Sequence, residues 1–343
     1  MSKAFFLSKN SDADKAFELN EIQVGDPKDD EVQIEVKSFG LNFADIMARR
    51  GLYQDCPPLP TVIGYDVAGL VSKVGKDVKE FKKGDRVVAL TRFGGYSQLV
   101  NTMQEGVAKI PDSLDFSKAT ALATQACTAY YCAFECVQLH KGDKVLIQAA
   151  AGGVGSILVQ MAKARGCKIY GTASTSKMDF LRELGVDHPI DYTKVDFKEY
   201  IENAPGIGGG LDVVFDSLGG KAFSKGWKLL SPGGKIVFLG SASSLKNGKG
   251  GLISNLGLAA GFGVFSPIQL ILNSKNMCGV NMLRIADHRK HIFKHCIDEV
   301  VKMFEAGTID PILGKEFKSS ALSEAHEYLE KRKSIGKVAV AWD

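Results

Sequence analysis

The sequence predicts a two-domain α/β protein, in which an antiparallel, barrel-like domain is followed by a doubly wound parallel sheet. Three observations support this fold class. The chain has 343 residues, enough to bury two hydrophobic cores. About the first 125 residues carry short strands of alternating polarity, whereas the later residues alternate apolar strands with helices.

Short period-two strands bounded by turn residues are predicted in the first domain. They lie at residues 3–7, 31–39, 67–75 and 85–90. In the strand at 31–39, the even-numbered residues from Val32 to Val36 are expected to face the core. The odd-numbered residues from Gln33 to Lys37 are expected to face solvent.

Strands with continuous apolar cores are predicted in the second domain, as in a sheet that is covered on both faces. They lie at residues 144–150, 168–173, 212–218 and 235–240. An amphipathic helix joins the first two, with its apolar residues at Val154, Ile157, Leu158, Met161 and Ala162. A second crossover helix is expected to have Ser176 as its N-cap and to end at Gly185.

The later part of the chain contains one more amphipathic helix and a final strand. The apolar face of the helix consists of Ile292, Cys296, Val300, Met303 and Phe304. The segment GKVAVAW at 336–342 is typical of a strand. Because this pattern no longer continues the parallel sheet, we expect the tail to return to the first domain.

The composition argues against several classes of protein. A net charge of +4 with dispersed basic residues makes nucleic acid an unexpected partner. The N-terminal residues resemble neither a secretory signal nor a transit peptide, so the expected location is cytoplasmic. The seven cysteines form no CxxC pair, which predicts reduced, mostly buried thiols rather than disulfides or a four-cysteine zinc site.

An uncharged segment at 250–274 is long enough to cross a bilayer. Several glycines, two asparagines and Pro267 interrupt it, which favours an interface helix or a cover for a substrate pocket over a transmembrane helix. Peripheral membrane contact stays open.

A glycine turn follows the first strand of the second domain and contains Gly152, Gly153, Val154 and Gly155. Without side chains at the first two glycines, the backbone can approach a diphosphate, and the N–H groups of the helix start stabilise its charge. Gly155 is expected to let the helix pack on the strand. Such a cluster can also be a simple tight turn, but a strand before it and a helix after it favour a Rossmann dinucleotide site.

The cofactor is expected to be NADPH rather than NADH. The second parallel strand ends without the carboxylate that would accept hydrogen bonds from the ribose hydroxyls of NAD. Ser174 and Lys177 could instead donate to a 2′-phosphate, although Lys177 could also be a solvated first-turn residue. Tyr192 could border the same phosphate or serve only in packing.

Several motifs together give the sequence a specific resemblance that covers nearly the whole chain. They are Asn42-Phe-Ala-Asp45, Arg49-Arg-Gly51-Leu-Tyr53, Gly64-Tyr-Asp66-Val-Ala-Gly69, Gly84-Asp85-Arg86-Val87, Thr128-Ala129-Tyr130, the glycine turn and Gly336-Lys337-Val338. The sequence resembles the quinone oxidoreductase branch of the medium-chain dehydrogenase/reductase superfamily, and within it the vesicle amine transport protein homologues. The resemblance implies a GroES-like β-barrel domain at 1–125 and 284–343, a Rossmann NADP-binding domain at 126–283, and a homodimer.

The catalytic zinc of many relatives has no ligand set here. By the resemblance, Asn42 stands where the first cysteine ligand would be, and Tyr65-Asp66 stands where a histidine–glutamate pair would lie. The histidines at 288, 291 and 295 lack the HExxH glutamate and are expected to lie on a solvated helix face. No metal site is therefore expected, although residual zinc dehydrogenase activity is a third alternative.

The resemblance also implies the roles of individual residues in hydride transfer to a quinone or an α,β-unsaturated carbonyl. Tyr53 would donate a proton or anchor the substrate, unless it only lines an apolar wall with Phe43 and Leu52. Asn42 would contact the nicotinamide ribose or the substrate oxygen, unless it only caps a helix. Thr128 would contact the nicotinamide side of the cofactor.

The end of the strand at 235–240 supplies two further candidates. Leu239 and Gly240 are expected near the nicotinamide, at the carboxyl edge of the sheet, while Asp216 is expected to be structural. A different class of function stands beside the enzyme: a catalytically weak nucleotide-binding protein that acts through membrane or protein contacts.

Overall fold

The computed structural model describes residues 2–240, 261–262 and 266–343. The chain forms two compact units. The first domain comprises Met1–Cys127 and Met282–Asp343, and the second domain comprises Thr128–Asn281. The junctions therefore lie two residues inside each end of the range 126–283 that the sequence led us to expect for the second domain.

The strands of the described residues are numbered in chain order: β1 (Ser2–Leu7), β2 (Phe17–Ile22), β3 (Glu31–Leu41), β4 (Thr61–Val62), β5 (Asp66–Val74), β6 (Arg86–Leu90), β7 (Leu99–Met103), β8 (Val107–Lys109), β9 (Lys144–Ile147), β10 (Lys168–Ala173), β11 (His188–Asp191), β12 (Leu211–Asp216), β13 (Leu230–Phe238), β14 (Asn276–Gly279), β15 (Leu313–Lys318) and β16 (Lys337–Ala341).

The α-helices of the same residues are α1 (Ala13–Ala16), α2 (Phe43–Arg49), α3 (Phe116–Ala119), α4 (Cys127–Tyr130), α5 (Gly153–Ala164), α6 (Met178–Leu184), α7 (Phe197–Glu202), α8 (Lys221–Leu229), α9 (Pro267–Asn273), α10 (Met282–His288), α11 (Lys290–Glu305) and α12 (Leu322–Glu330). Wider, π-helical turns flank α4 at Leu122–Ala126 and Tyr131–Cys136.

The first domain is built on a mainly antiparallel sheet in the order β15-β16-β3-β5-β6-β8, with β7 also paired to β3. A smaller sheet has the order β2-β1-β4. The strand β16 pairs with β3 in antiparallel register, Val338 opposite Leu41, which confirms that the tail returns to this domain.

The alternation predicted for β3 is wrong at one position. Val32, Ile34 and Val36 are buried as expected, but Gln33 is buried too. The Gln33 amide donates to the carbonyl of Gly25 at 3.0 Å and accepts from the Ser72 hydroxyl at 2.9 Å. β3 pairs with β5 along one edge and with β7 and β16 along the other. The side chain of Gln33 is buried because Gly25 and Ser72 supply its hydrogen-bond partners inside the domain.

The second domain is a parallel sheet in the order β11-β10-β9-β12-β13-β14. The order reverses between β9 and β12, as in a doubly wound fold, so the carboxyl ends of these two central strands form the switch point where such sheets bind ligands. The predicted α/β fold class is confirmed.

The start of α6 differs from the prediction. Ser176 lies within a short 3₁₀ turn, Thr175–Lys177, for which Ser174 is the N-cap residue, and the α-helix begins only at Met178. Gly185 ends the helix with a φ of 91°, in the left-handed region, as expected.

The uncharged segment 250–274 lies largely outside the described residues. Its described end forms α9, seven residues long. Among the residues that the structure describes, no helix is both long enough and apolar enough to span a bilayer. All seven cysteines are described and free, with Cys127, Cys132, Cys167 and Cys296 buried.

Candidate active site

Backbone hydrogen bonds within the turn from β9 to α5 hold it in a compact conformation. The N–H of Gly152 donates to the carbonyl of Ala149 at 2.8 Å, and the N–H of Ser156 makes the first helical hydrogen bond, to Gly152, at 2.9 Å. Ala149 adopts a φ of +51°, in the left-handed region, which costs an L-residue about 1–2 kcal/mol. Local strain of this kind is held by the surrounding structure and is common at ligand sites.

Thr172 on the neighbouring β10 fixes the strained residue in place. Its hydroxyl accepts the N–H of Ala149 at 3.2 Å and donates to the side-chain oxygen of Gln148 at 2.8 Å. Gly155 lets the helix approach this turn, because a Cβ at this position would lie 2.3 Å from the carbonyl oxygen of Ala149. The packing role expected for Gly155 is the one observed.

The backbone N–H groups of Gly153, Val154 and Gly155 precede the first helical hydrogen bond, so the helix gives them no acceptor. They point out of the start of a twelve-residue helix, whose partial positive charge adds to their own. The turn therefore has the donors that a diphosphate would need.

The residues predicted for the 2′-phosphate lie at the carboxyl ends of β10 and β11. Ser174 accepts the N–H of Lys177 at 2.9 Å and so begins the 3₁₀ turn that carries this lysine. Tyr192 follows β11, donates its N–H to Ala173 at 3.2 Å and is 46% exposed. All three predicted residues lie at one edge of the sheet.

Asp191 lies at the same edge, and the sequence reasoning missed it because it ends the third strand rather than the second. Its carboxylate accepts the hydroxyls of Thr175 and Thr193, both at 2.6 Å, and the N–H of Thr193 at 3.0 Å. The hydroxyls of Thr175 and Thr193 hold its pKa below the usual value. The second strand ends without a carboxylate, as expected, but the third strand brings Asp191 to the same edge, where three local donors compensate its charge.

Leu239 and Gly240 follow β13 at the carboxyl edge of the sheet. The N–H of Leu239 donates to the carbonyl of Asp216 at 3.0 Å. One carboxylate oxygen of Asp216 accepts the N–H groups of Leu218 and Gly219, at 2.6 and 2.8 Å, which is a structural role. Burial raises the pKa of this carboxyl group, against the effect of those two N–H donors.

Asn42 is the N-cap residue of α2, but its side chain serves another purpose. The backbone N–H of Asn42 donates to the carboxylate of Asp45 at 2.7 Å, as in a capping box. The side-chain NH₂ donates to Asp66 at 2.7 Å, and the side-chain oxygen accepts from Lys337 at 3.2 Å and from Gln125 at 3.3 Å. Asn42 is therefore the N-cap residue of α2, as one interpretation expected, and its side chain belongs to a buried polar network. The contact of Asn42 with a cofactor or substrate stays a prediction.

Lys337 and Asp66 form an ion pair in which both side chains are fully buried. Asp66 also accepts the backbone N–H of Thr124, at 2.9 Å, and its hydroxyl. Thr124 and Gln125 both come from the π-helical turn Leu122–Ala126, a rare geometry that is frequent at functional sites. No role for Lys337 was expected from the sequence, although a lysine that begins an otherwise apolar strand needs a partner.

Tyr53 lies in a loop of the first domain beside Tyr65. The ring centroids are 6.3 Å apart and the rings meet edge to face. Burial raises the pKa of both phenols, so both remain protonated at neutral pH. Thr128, the remaining predicted contact, is a buried residue of α4 in the second domain.

The histidines at 288, 291 and 295 lie on α10 and α11. Within the described ranges, no group of three or more His, Cys, Asp or Glu side chains is arranged to hold a metal ion.

Comparison with known families gives two matches. The zinc-binding dehydrogenase family matches residues 153–302, and the alcohol dehydrogenase GroES-like domain family matches residues 28–112. The chain is 34% identical to the synaptic vesicle membrane protein VAT-1 homolog of Rattus norvegicus over 313 residues, which cover 91% of this chain and 77% of the rat protein.

Two solved structures are similar over nearly the whole chain. The Escherichia coli quinone oxidoreductase complexed with NADPH has a TM-score of 0.84 and 29% identity, with 99% of each chain covered. The CurK enoyl reductase has a TM-score of 0.86 and 28% identity, with 100% of this chain and 99% of that chain covered. The chain therefore belongs to the medium-chain dehydrogenase/reductase superfamily of oxidoreductases, in the group that includes the VAT-1 homologues and the quinone oxidoreductases.

Proposed function

We propose that the protein is a zinc-independent reductase that uses NADPH to transfer hydride to a quinone or an α,β-unsaturated carbonyl compound. The observation that carries this proposal is the glycine turn, in which the N–H groups of Gly153, Val154 and Gly155 have no helical acceptor. A helix start of this kind, at the carboxyl end of a central parallel strand, suits the diphosphate of a dinucleotide. The similarity to an NADPH complex of a quinone oxidoreductase supports the same class of cofactor.

The preference for NADPH rests on Ser174, Lys177 and Tyr192. These residues share one edge of the sheet, where a hydroxyl, an ammonium and a phenol can each donate to a phosphate. The carboxylate of Asp191 lies at the same edge, but Thr175 and Thr193 donate to it. We infer that the phosphate donors outweigh this compensated charge.

Zinc independence is supported by the surroundings of Asn42 and Asp66. By family resemblance these residues stand at metal-ligand positions, yet the ammonium of Lys337 contacts oxygens of both. A cation is thus already present at this place, and Thr124 and Gln125 supply the remaining donors. An oxygen-rich set of this kind is also a poor match to the nitrogen and sulfur ligands that zinc prefers.

The proposed mechanism assigns separate tasks to the residues of the two domains. When bound, NADPH supplies a hydride from C4 of its nicotinamide. As the hydride adds to a carbon conjugated with a carbonyl, the displaced electron pair moves to the carbonyl oxygen, which then needs a hydrogen-bond donor and finally a proton. Asn42 is proposed as the donor and Tyr53, protonated at neutral pH, as the proton donor or substrate anchor. Thr128, Leu239 and Gly240 are proposed to line the nicotinamide.

An NADPH-oxidation screen against small quinones and enones tests the reaction. Turnover that persists after chelation, without stoichiometric metal by elemental analysis, is expected. Lys177→Ala should weaken NADPH binding by about tenfold and leave NADH binding unchanged, as expected for one lost charge-assisted contact. Equal effects on both cofactors would contradict the phosphate assignment.

Gly153→Val tests the turn itself. Its branched side chain should occupy the space that the diphosphate needs, so cofactor binding is lost while the fold survives. Calorimetry with NADPH and circular dichroism measure the two properties separately. Retained binding would refute the placement of the diphosphate.

We also propose a homodimer formed through β14. This strand is an edge of the parallel sheet, and no described strand pairs with its outer side. The adjoining α9 exposes apolar side chains that water disfavours: Ile268 is 66%, Ile271 77% and Leu272 78% exposed. Sedimentation equilibrium should give a dimer, and the double substitution Ile271→Asp with Leu272→Asp should give monomers.

The same exposed face of α9 favours a second candidate function, that of a weakly catalytic protein that binds membranes peripherally. Co-sedimentation with liposomes separates the two. Liposome binding without reductase turnover would support the membrane role, whereas turnover without liposome binding supports the reductase. We expect the protein to act in the cytoplasm, where its seven free cysteines would stay reduced, and cell fractionation tests this.

A further inference from the structure

Lys337 reaches its partners by crossing a neighbouring strand. Its own strand, β16, pairs with β3, and β3 pairs with β5, so Lys337 and Asp66 are separated by one strand of the sheet. Gly40 of β3 lies directly opposite Asp66 in the register of β3 and β5. The lysine side chain must therefore pass over β3 near this glycine.

Gly40 makes this passage possible. A Cβ at position 40 would lie 2.2 Å from Cε and 2.7 Å from Nζ of Lys337, well inside any allowed contact. Any other residue at this position would displace the lysine side chain. The missing side chain of Gly40 thus leaves the space in which the Lys337 side chain crosses β3.

The ammonium group determines which way the Asn42 amide faces. The amide oxygen accepts from Lys337 at 3.2 Å and from Gln125 at 3.3 Å, and one N–H donates to Asp66 at 2.7 Å. If the amide were rotated by half a turn, its NH₂ would face the ammonium and its oxygen would face the carboxylate. Both contacts would be repulsive, so the charges of Lys337 and Asp66 select one orientation.

In this orientation Asn42 keeps one N–H without an acceptor among the described residues, while its oxygen is fully used. Two donors on the amide oxygen, one of them charged, also polarise the amide and strengthen the remaining N–H as a donor. The remaining N–H of Asn42 can therefore donate to an oxygen of a substrate or of a ribose hydroxyl, whereas the amide oxygen has no capacity left to accept.

We propose that Lys337, Asp66 and Gly40 are positioning residues that fix Asn42 as a donor directed at the substrate oxygen on which charge develops during hydride transfer. This inference rests on the proposed reductase function. Of the two contacts that the resemblance left open for Asn42, it chooses the substrate oxygen, a choice that the Kd of NADPH tests. It also gives the buried ion pair a task beyond stability.

The test uses Lys337→Met, the charge-neutral double variant Asp66→Asn with Lys337→Met, and Gly40→Ala. The matched control is Gly25→Ala in the same domain, where no atom lies within 4 Å of the added Cβ. NADPH oxidation with para-benzoquinone and with cyclohexenone gives kcat and KM, and fluorescence titration gives the Kd of NADPH.

We expect kcat to fall by about 10- to 100-fold in the three variants, because a misdirected donor no longer stabilises the developing charge. The Kd of NADPH should stay within about twofold, because Asn42 does not hold the cofactor in this assignment. Gly25→Ala should behave as the parent protein. An unchanged kcat in a folded Lys337→Met or double variant would overturn the proposal, as would a loss confined to NADPH affinity.

A neutron diffraction structure of the double variant, which distinguishes the amide oxygen from the NH₂ group, supplies a readout that does not depend on turnover. The Asn42 amide should be rotated or disordered once the two charges are gone, and an amide in its original orientation would overturn the proposal. If none of the tested quinones and enones supports NADPH oxidation by the parent protein, the proposed function fails. The orientation of the Asn42 amide still decides whether the ion pair positions it.

Discussion

The glycine turn of the second domain and the buried network around Asn42 in the first domain differ in whether their polar groups have partners within the protein. At the glycine turn, three backbone N–H groups have no helical acceptor, and a strained Ala149 is held in place to present them. In the first domain, the buried charges of Lys337 and Asp66 compensate each other, and Thr124 and Gln125 complete the network. An open set of donors is what a ligand requires, whereas a closed network stabilises the fold and orients one neighbour.

The largest expected effect is a loss of stability when the charge of Lys337 is removed from the buried network. Lys337→Met should lower the free energy of unfolding of the first domain by about 3–5 kcal/mol, because Asp66 is left buried without its cation. Lys73→Met is the control, since Lys73 pairs with Asp26 on the surface and an exposed pair contributes about 1 kcal/mol or less. Denaturant unfolding of both variants measures the difference, and equal losses would remove the distinction between closed and exposed charges.

Replacing Asp45 tests whether a buried carboxyl group without a neutralising cation destabilises the first domain. Burial raises the pKa of Asp45 to about 7 from 3.8, against the effect of the Asn42 N–H. The folded protein therefore holds a proton that the unfolded chain releases above pH 4. This group's contribution to stability is complete below pH 4, declines as the pH rises to 7, and is constant above 7.

Asp45→Asn should accordingly stabilise the protein at pH 8 by up to about 4 kcal/mol, at 1.36 kcal/mol per pKa unit, and have little effect at pH 4. The buried His326, whose pKa is lowered by burial, contributes with the opposite sign but is present in both proteins. The difference in thermal midpoint between variant and parent at several pH values isolates Asp45. A difference that does not grow with pH would show that Asp45 is ionised throughout.

Distorting the open site should weaken cofactor binding. Gly155→Ala places a Cβ 2.3 Å from the carbonyl oxygen of Ala149, so the turn must shift and its N–H groups lose their alignment. We expect NADPH to bind about tenfold more weakly, the effect of roughly 1.4 kcal/mol. Gly208→Ala, in the same domain and with no atom within 4 Å of the added Cβ, should bind NADPH like the parent protein.

The smallest effect is expected at the edge of the open site. The pKa of Asp191 is lowered by the hydroxyls of Thr175 and Thr193, so the group is ionised at pH 7. Asp191→Asn removes this charge and should tighten NADPH binding by about two- to threefold at low salt, with the gain screened at higher ionic strength. Weaker binding would instead mean that Asp191 holds Thr175 and Thr193 as phosphate donors.

The sequence allowed prediction of those features that depend on neighbours along the chain. The strand, the glycine turn and helix α5 follow one another within about 20 residues, so their periodicity and glycines predict both the fold and the diphosphate donors. The capping role of Asn42 was predictable for the same reason. The prediction of Ser176 as the N-cap of α6 was wrong because a 3₁₀ turn with Ser174 as its N-cap residue precedes the helix. Cap signals in the sequence do not distinguish a 3₁₀ turn from the first turn of an α-helix.

The closed network could not be predicted, because it depends on which strands are adjacent. Lys337 meets Asp66 only since β16, β3 and β5 lie side by side, and Gly40 matters only because the lysine crosses there. Period-two patterns say which face a residue occupies but not which strand lies next to it. Gln33 and Asp191 were misjudged for the same reason, since their partners come from other strands and loops.

The pairing of β16 with β3 also constrains when the first domain can form during synthesis. Leu41 cannot form its pairing in the sheet until Val338 has been synthesised. At 5–20 residues per second, Val338 leaves the ribosome about 15 to 60 s after Leu41. Residues 128–281 emerge in that interval and can collapse on their own parallel sheet first. Throughout this delay the N-terminal strands lack their closing partner, so nascent chains should engage chaperones through the unpaired side of β3.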